Sequence, residues 1–350
     1  MHWIAGVGVY LLQGTRRRVE VMKCSFITNF FVLSLLALPA AAQEWEVPRT
    51  PDGRPDLQGI WTNATQTPLQ RPTEFGTRGS LNQQEAAELE ASWRNRIARA
   101  SAPSDPDRAP PTDGNTDLGY NNFWVDRGTN VIRIGDEYRT SIVVDPPDGR
   151  IPDLEGRPQN DLRSQFRAMP GIDPYHGPET RPLGERCLLS FGSSSGPPML
   201  PVMYNNNYQI VQTPDHVMIM VEMVHDARII RIDQDHFETD FEKWMGDSVG
   251  YWEGDTLVVK TRNFHSQQSY RGSSPELVVT ERFELIEPGK IRYSFTMEDP
   301  LTYQRAWTGE VAMNRRPAGD RMYEYACHEG NYAFFGILGG ARRLEVEASN

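Results

Sequence analysis

The sequence predicts a mainly β fold: an antiparallel β-barrel with one N-terminal helix and long proline-rich loops. The 350 residues include 29 glycines and 26 prolines, which favours short strands joined by turns over long helices. Two hairpin turns, at residues 253–255 and 287–290, separate segments in which apolar and polar residues alternate. Consecutive hairpins form an antiparallel sheet, and closing it into a barrel removes the exposed edges.

The composition indicates a globular, acidic chain. Hydrophobic residues make up 38%, which is enough for a large core and excludes a disordered or collagen-like protein. The 36 basic and 47 acidic residues leave a net charge of −11. Such a chain lacks the basic face that binds nucleic acid or anionic membranes, so we expect neither as a partner.

Residues 1–42 have the features of a secretory leader. A mostly apolar stretch at residues 26–38 is followed by small residues just before Gln43. We interpret residues 1–21 as upstream sequence of a mis-assigned start, with initiation at Met22. A twin-arginine signal is the alternative. The prediction is a periplasmic or secreted protein without a membrane anchor, because the apolar stretch is too short for a confident span and no cysteine follows it.

The mature chain divides into an N-terminal part and a barrel body. Residues 43–120 are predicted to hold an extension, a first strand, a helix from Ser80 to Ala100 capped by Ser80, and a linker. Residues 121–350, together with residues 57–64, form the barrel body as one domain. After two strands between residues 123 and 144, the predicted strands are 208–213, 217–224, 228–233, 248–252, 256–261, 278–286, 291–298, 307–313 and 322–327.

Two resemblances extend this prediction. Gly59-Ile60-Trp61, at the start of the first strand, resembles the G-x-W motif of lipocalins and the wider calycin group, which implies that Trp61 closes one barrel end beneath a late-strand arginine. The blocks VVDPPDGRIP, WMGDSVGYWEGDTLVVKTRNF and YEYACHEGNYAFFGIL resemble a large group of secreted bacterial proteins of unknown function. That second resemblance spans most of residues 45–345 and implies no particular activity.

The mature chain keeps two cysteines, Cys187 and Cys327. In an oxidising compartment, this pair predicts a disulfide that closes a very long loop. Two separate buried thiols are the alternative.

Two carboxylates in apolar strands are candidate catalytic residues. Glu222 sits inside the otherwise apolar strand predicted at residues 217–224, so its side chain points into the barrel or is paired, for example with Arg228. Glu281 shares a strand face with Val279 and Phe283 and should face inward. Each carboxylate is interpreted either as a general acid/base inside the lumen or as a structural group buried against an arginine.

His328 is the third candidate catalytic residue. It shares a face with Glu324 if residues 322–327 form an unbroken strand, and Gly330 loosens the loop that follows. A histidine with carboxylate neighbours suits proton transfer or metal binding, whereas a capped strand end held by the disulfide is the structural alternative.

The remaining candidates are polar residues expected at the barrel mouth, where they would contact a ligand. Arg228 or Arg271 would hold an anionic group. No cofactor is expected, although a zinc or copper site built from three histidines and a carboxylate is an alternative. The full set of ligand-binding candidates is Arg228, His225, His265, Arg271, Glu329 and Asn331.

Three functions fit these residues. The first is an exported enzyme that performs acid/base chemistry, such as isomerisation, elimination or hydrolysis, on an apolar or aromatic small molecule in the barrel cavity. The second is a non-catalytic periplasmic binding or carrier protein. The third is an envelope structural protein that uses the proline-rich loops as its contact surface. An apolar cavity with convergent ionisable groups distinguishes the first from the others.

Overall fold

The computed structural model describes residues 45–102, 107, 125–155, 173–190, 196–238, 241–268 and 270–349, all within the compact unit Trp45–Asn350. The predicted leader at residues 1–42 and most of the linker lie outside the described residues. The strands are β1 (Gly59–Thr62), β2 (Ser80–Leu81), β3 (Arg133–Ile134), β4 (Glu137–Arg139), β5 (Val143–Asp145), β6 (Asn207–Gln212), β7 (His216–Val221), β8 (Ala227–Ile232), β9 (Asp247–Glu253), β10 (Thr256–Arg262), β11 (Val278–Glu287), β12 (Lys290–Glu298) and β13 (Trp307–Arg315).

Nine of these strands form a closed barrel, so the prediction of a mainly β barrel is confirmed. The order around the wall is β1-β6-β7-β8-β9-β10-β11-β12-β13, and β13 pairs with β1 to close it, for example at Trp61 and Arg315. Strand β5 continues the sheet beyond β13. The alternation of buried and partly exposed residues along β11 and β12 places one face of each strand in the interior.

The prediction that the barrel is antiparallel throughout is wrong. Strands β8 and β9 are parallel, with Ile230 opposite Ser248. Two parallel neighbours cannot be joined by a tight hairpin, because the chain must return to the end from which it started. The return lies between the last residue of β8, Ile232, and the first of β9, Asp247, so the barrel is mixed.

The described residues contain two α-helices where the sequence predicted one. Helix α1 (Gln83–Ala100) is capped by Asn82, not Ser80: the Asn82 side chain accepts from the Glu85 N–H, and Glu85 reciprocates. Leu81, Ala86 and Val131 form a small core beside the sheet β2-β4-β3. Helix α2 (Tyr332–Ala348) was not predicted.

The predicted strand at residues 322–327 is also wrong, because these residues pair with no other strand. They run over the barrel to the Cys187–Cys327 disulfide, whose Cα atoms are 5.8 Å apart. The predicted disulfide is therefore confirmed. Beyond it, Arg342 of α2 donates to the backbone carbonyls of Tyr175 and His176 and ties the helix to the segment that carries Cys187.

Large side chains fill much of the barrel interior. The rings of Phe283, Tyr293, Phe295 and Trp307 are fully buried, with successive centroids 5.0, 5.7 and 5.6 Å apart. The Phe295 ring lies over Gly309, where an added Cβ would come within 2.3 Å of it. Close packing of this kind explains the glycine at that position.

The two ends of the barrel differ. We call the end at which β6 and β8 begin and β7 ends the upper end, and the opposite one the lower end. At the lower end the buried Trp61 donates to the Leu57 carbonyl, and the Arg315 guanidinium lies 4.3 Å from its ring. Among the described residues, no helix is long and apolar enough to cross a membrane.

Candidate functional site

The upper end gathers most of the polar side chains that are buried in the barrel. Strand register brings the start of β8, the start of β11 and the loops that follow β10 and β12 to this end. Several buried polar atoms at this end have no hydrogen-bond partner within the described residues. Arg139 Nε, in the small sheet, is an unpartnered atom outside this end. Those at the upper end are Asn63 Oδ1, Asn207 Oδ1, Asp226 Oδ2, Arg228 Nε, Tyr270 Oη, Tyr303 Oη and Trp307 Nε1.

Arg228 and Glu281 form a buried ion pair inside the barrel. Both guanidinium Nη atoms donate to the carboxylate, Nη2 at 2.9 Å, and the Tyr293 hydroxyl donates to the same carboxylate at 2.9 Å. Burial acts to lower the pKa of Arg228, but Glu281 outweighs it and the pKa is raised. Glu281 thus faces inward as its strand phase predicts, and its lone pairs are largely committed to Arg228 and Tyr293.

A second set of hydrogen bonds continues from Tyr293. Its hydroxyl accepts from the Met199 N–H at 2.9 Å, and the Met199 carbonyl accepts from the Asn63 amide at 3.1 Å. The same amide lies 3.2 Å from the Tyr208 hydroxyl. Burial raises the pKa of Tyr208 well above its ordinary value, so this hydroxyl stays protonated. The network extends across the barrel interior.

Glu222 lies just beyond β7 and makes different contacts from those predicted. Its carboxylate accepts from the Asn207 amide at 2.6 Å and from the Tyr323 backbone N–H at 3.1 Å. It is 3% exposed and does not share Arg228, which pairs with Glu281 instead. Glu222 therefore fastens the C-terminal segment to the start of β6.

Asp226 was not among the predicted site residues, although the structure places it at the rim of the barrel. It precedes β8 in phase with the inward residues Arg228 and Ile230. Burial raises the pKa of the Asp226 carboxyl to about 6, although the nearby His225 acts to lower it. The residues before it, Val224 (φ 64°) and His225 (φ 52°), both adopt the left-handed region, which is a strained conformation for a β-branched side chain.

His265 and the start of β9 lie on one flank of the upper end. The His265 ring stacks on Trp244 with centroids 3.9 Å apart. Nearby, Asp247 is 1% exposed and accepts from Arg231, His236 and the Phe237 N–H. Burial acts to raise the pKa of Asp247, but these donors outweigh it and hold the pKa far below its usual range.

His328 and its neighbours are not buried with the carboxylates with which they were grouped. His328 and Glu329 are exposed, in a turn that follows the disulfide. Within the described residues, no hydrogen bond or ion pair connects the His328 ring to Glu281 or Glu222. Asn331 donates to the Glu185 carbonyl at 2.7 Å and so supports the disulfide loop.

Arg271 lies at the upper end, in the turn at residues 270–272 between β10 and β11. Its Nη2 is 3.8 Å from an Asp153 carboxylate oxygen, and its backbone is left-handed (φ 50°). The adjacent Tyr270 lies in the same loop, which the sequence places at the barrel mouth. Tyr303 and Trp307 were missed by sequence reasoning, because an aromatic residue in a β protein usually indicates core packing. The signal that could have indicated them is the position of Tyr303 in the loop after β12 and of Trp307 at the first residue of β13.

A groove of about 280 Å³ lies outside the barrel wall, beside the small sheet. Lys290, Ala312 and Asn314 line it from the barrel, and Glu90 and Arg133 from the other side. Its charged groups are satisfied: Glu90 accepts from the Val131 N–H, and Lys290 and Arg133 pair with Glu287. The upper end is therefore the stronger candidate site.

Comparison with known proteins gives no functional assignment. No protein-family model matches the chain, and no curated protein is detectably similar to it. Within the described residues, no group of three His, Cys, Asp or Glu side chains converges as a metal site would require.

Proposed function

We propose that this protein binds a small, mainly apolar or aromatic molecule at the upper end of its barrel. The observation that carries the proposal is the concentration there of buried polar atoms without partners. Native proteins pair nearly all buried polar groups, and ordered water or a ligand supplies the partner where the chain does not. Aromatic rings such as Phe295 and Trp307 border the same region and would cover the apolar part of the molecule.

We further propose that the protein works in the periplasm or outside the cell, after removal of residues 1–42. The Cys187–Cys327 disulfide supports this, because disulfides persist in oxidising compartments. A calycin-like relationship belongs to the same proposal. Its support is the position of Arg315 over Trp61 at the lower end, whereas the parallel β8–β9 pair departs from such a barrel.

Native mass spectrometry of mature protein purified from its own compartment tests the binding proposal. We expect a mass excess that corresponds to one small molecule and disappears on denaturation. Asp226 and Asp233 flank β8 at opposite barrel ends and provide a matched pair. Asp226→Asn should reduce the retained fraction, and Asp233→Asn should not. Retention that neither variant changes would place the molecule elsewhere, and no mass excess would oppose the proposal.

A second candidate function is the acid/base enzyme, and Asp226 is the observation that favours it. A carboxyl with a pKa of about 6 and an unpaired oxygen can accept and return a proton near neutral pH. We would incubate the protein with a small-molecule extract of the cell envelope in D₂O and search for deuterium uptake by mass spectrometry. Uptake should increase with pH through about 6 and be lost in Asp226→Asn. An extract that takes up no deuterium would favour the non-catalytic carrier function.

A further inference from the structure

Tyr270, Tyr303 and Trp307 form one aromatic cluster at the upper end. Their exposed fractions are 6%, 2% and 0%. The centroid of the Trp307 ring lies 6.4 Å from that of Tyr270 and 5.8 Å from that of Tyr303, to which it is nearly perpendicular. Phe295 packs edge-on against Trp307 and connects the cluster to Tyr293, and hence to Glu281.

The polar atoms of this cluster are all hydrogen-bond donors. Tyr270 Oη, Tyr303 Oη and Trp307 Nε1 have no partner of hydrogen-bond geometry within the described residues. Burial raises the pKa of Tyr270 well above its ordinary value. Burial likewise raises the pKa of Tyr303, although a long or poorly aligned hydrogen bond from the Trp307 N–H acts to lower it. Both phenols therefore remain protonated at physiological pH, and an indole N–H can only donate.

Charges of both signs lie beside the cluster. Arg271 and Asp153 form an ion pair at 3.8 Å and act on the two phenols in opposite directions, and Asp299 acts on Tyr303 in the same direction as Asp153. The Asp299 carboxylate already accepts from Ser274 and Thr302, so recognition at the cluster would depend on hydrogen-bond donation. The left-handed backbone of Arg271 fixes the turn that presents Tyr270.

We propose that Tyr270, Tyr303 and Trp307 form a donor subsite for the carbonyl or carboxylate oxygen of a planar, mainly apolar ligand. The inference rests on the proposed function and adds the class of molecule. An sp² oxygen accepts two or more hydrogen bonds, so it can satisfy donors that the chain leaves unpaired. The surrounding rings would pack against the planar body of the ligand.

Three probes of similar shape test the subsite: acetophenone, benzoate and α-methylstyrene, which lacks the oxygen. Their binding to mature protein is measured by titration calorimetry. We expect acetophenone or benzoate to bind about tenfold more tightly than α-methylstyrene, and the stronger of the two identifies the oxygen type. Tyr270→Phe and Tyr303→Phe should each reduce that preference about fivefold without changing the α-methylstyrene affinity. Tyr138→Phe, in the small sheet, should leave all three affinities unchanged.

Thermal melting of the ligand-free protein supplies a second measurement. Because the Tyr270 hydroxyl has no partner to lose, Tyr270→Phe should maintain the Tm or raise it by about 2 °C. A lowered Tm would indicate that the hydroxyl is bonded to trapped water or to the chain, and it would overturn the proposal. Equal affinities for acetophenone and α-methylstyrene, or no binding of any probe, would overturn it too. A molecule retained in native mass spectrometry would still support the proposed function in either case.

Discussion

Arg228 on β8 and Glu281 on β11 form a bidentate ion pair inside the barrel, although β9 and β10 separate them in the wall. The guanidinium side chain is 3% exposed and the carboxylate is fully buried. The pair therefore links two parts of the wall through the interior. A chemical role for Glu281 would require breaking this ion pair. Asp226 at the rim, whose Oδ2 has no hydrogen-bond partner within the described residues, is therefore the more available carboxyl group.

Removing one member of this pair should be strongly destabilising. We expect Glu281→Gln to reduce the free energy of unfolding by about 3–5 kcal/mol, because Arg228 is left as a buried charge. The double variant Arg228→Met/Glu281→Met should recover most of the loss. Urea denaturation measures both, with Glu253→Gln as the control, since its pair with Arg282 is solvent-exposed and should matter by less than about 1 kcal/mol. A single variant as stable as the wild type would contradict the expectation.

Gly309→Ala should destabilise the barrel through overpacking. The added methyl group would meet the Phe295 ring at 2.3 Å, and we expect a loss of about 1–3 kcal/mol in chemical denaturation. Combining Phe295→Leu with Gly309→Ala should relieve the clash and reduce the loss in the free energy of unfolding that Gly309→Ala causes. Gly330→Ala, which has open space around its Cα, should change stability by no more than about 0.5 kcal/mol. Equal effects at positions 309 and 330 would argue against the described packing.

Asp247 should make the fold sensitive to acid. Because its folded pKa is depressed, the ionised carboxylate stabilises the protein above the unfolded pKa of about 3.9, and this contribution is lost as the pH falls below that value. Asp247→Asn should therefore be much less stable than wild type at pH 7, and the difference should shrink near pH 3. Asp255→Asn, at an exposed pair with Arg49, serves as the control. A difference independent of pH would show that the carboxylate charge is unimportant.

Asp226 should have the opposite pH dependence. Its folded pKa of about 6 exceeds the unfolded value of about 3.9, so ionisation opposes folding as the pH rises through that interval. The Tm of Asp226→Asn relative to wild type should increase between pH 4 and pH 7. A ¹³C titration of the Asp226 carboxyl measures the pKa directly, and a value near 4 would refute the assignment.

The disulfide should protect the C-terminal segment. Thiol labelling of denatured, unreduced mature protein should find neither Cys187 nor Cys327 free, and reduction should lower the free energy of unfolding by about 2–5 kcal/mol. Hydrogen exchange in α2 should accelerate after reduction, because the bridge acts with Asn331 and Arg342 to tie the helix to the segment at residues 173–190. Unchanged exchange would indicate that α2 is held independently.

Local patterns in the sequence were sufficient for most of the barrel strands. The alternation in residues 291–298 predicted which side of β12 faces the interior, because strand side chains alternate between faces whatever the neighbouring strand is. The same periodicity predicted that Glu281 points inward. Residues 322–327 showed that alternation is not enough, since a strand also needs a partner whose position the local sequence does not specify.

The sequence by itself determined the β class of the fold, the hairpins, the inward phase of Glu281 and the cysteine pair. Only the tertiary structure decided that β9 runs parallel to β8, that Arg228 rather than a local residue pairs with Glu281, and that His328 lies outside the interior. The physical reason is the range of the interactions. Turn preference and alternation act between residues close in the chain, whereas ion pairs across a barrel depend on how distant strands are aligned.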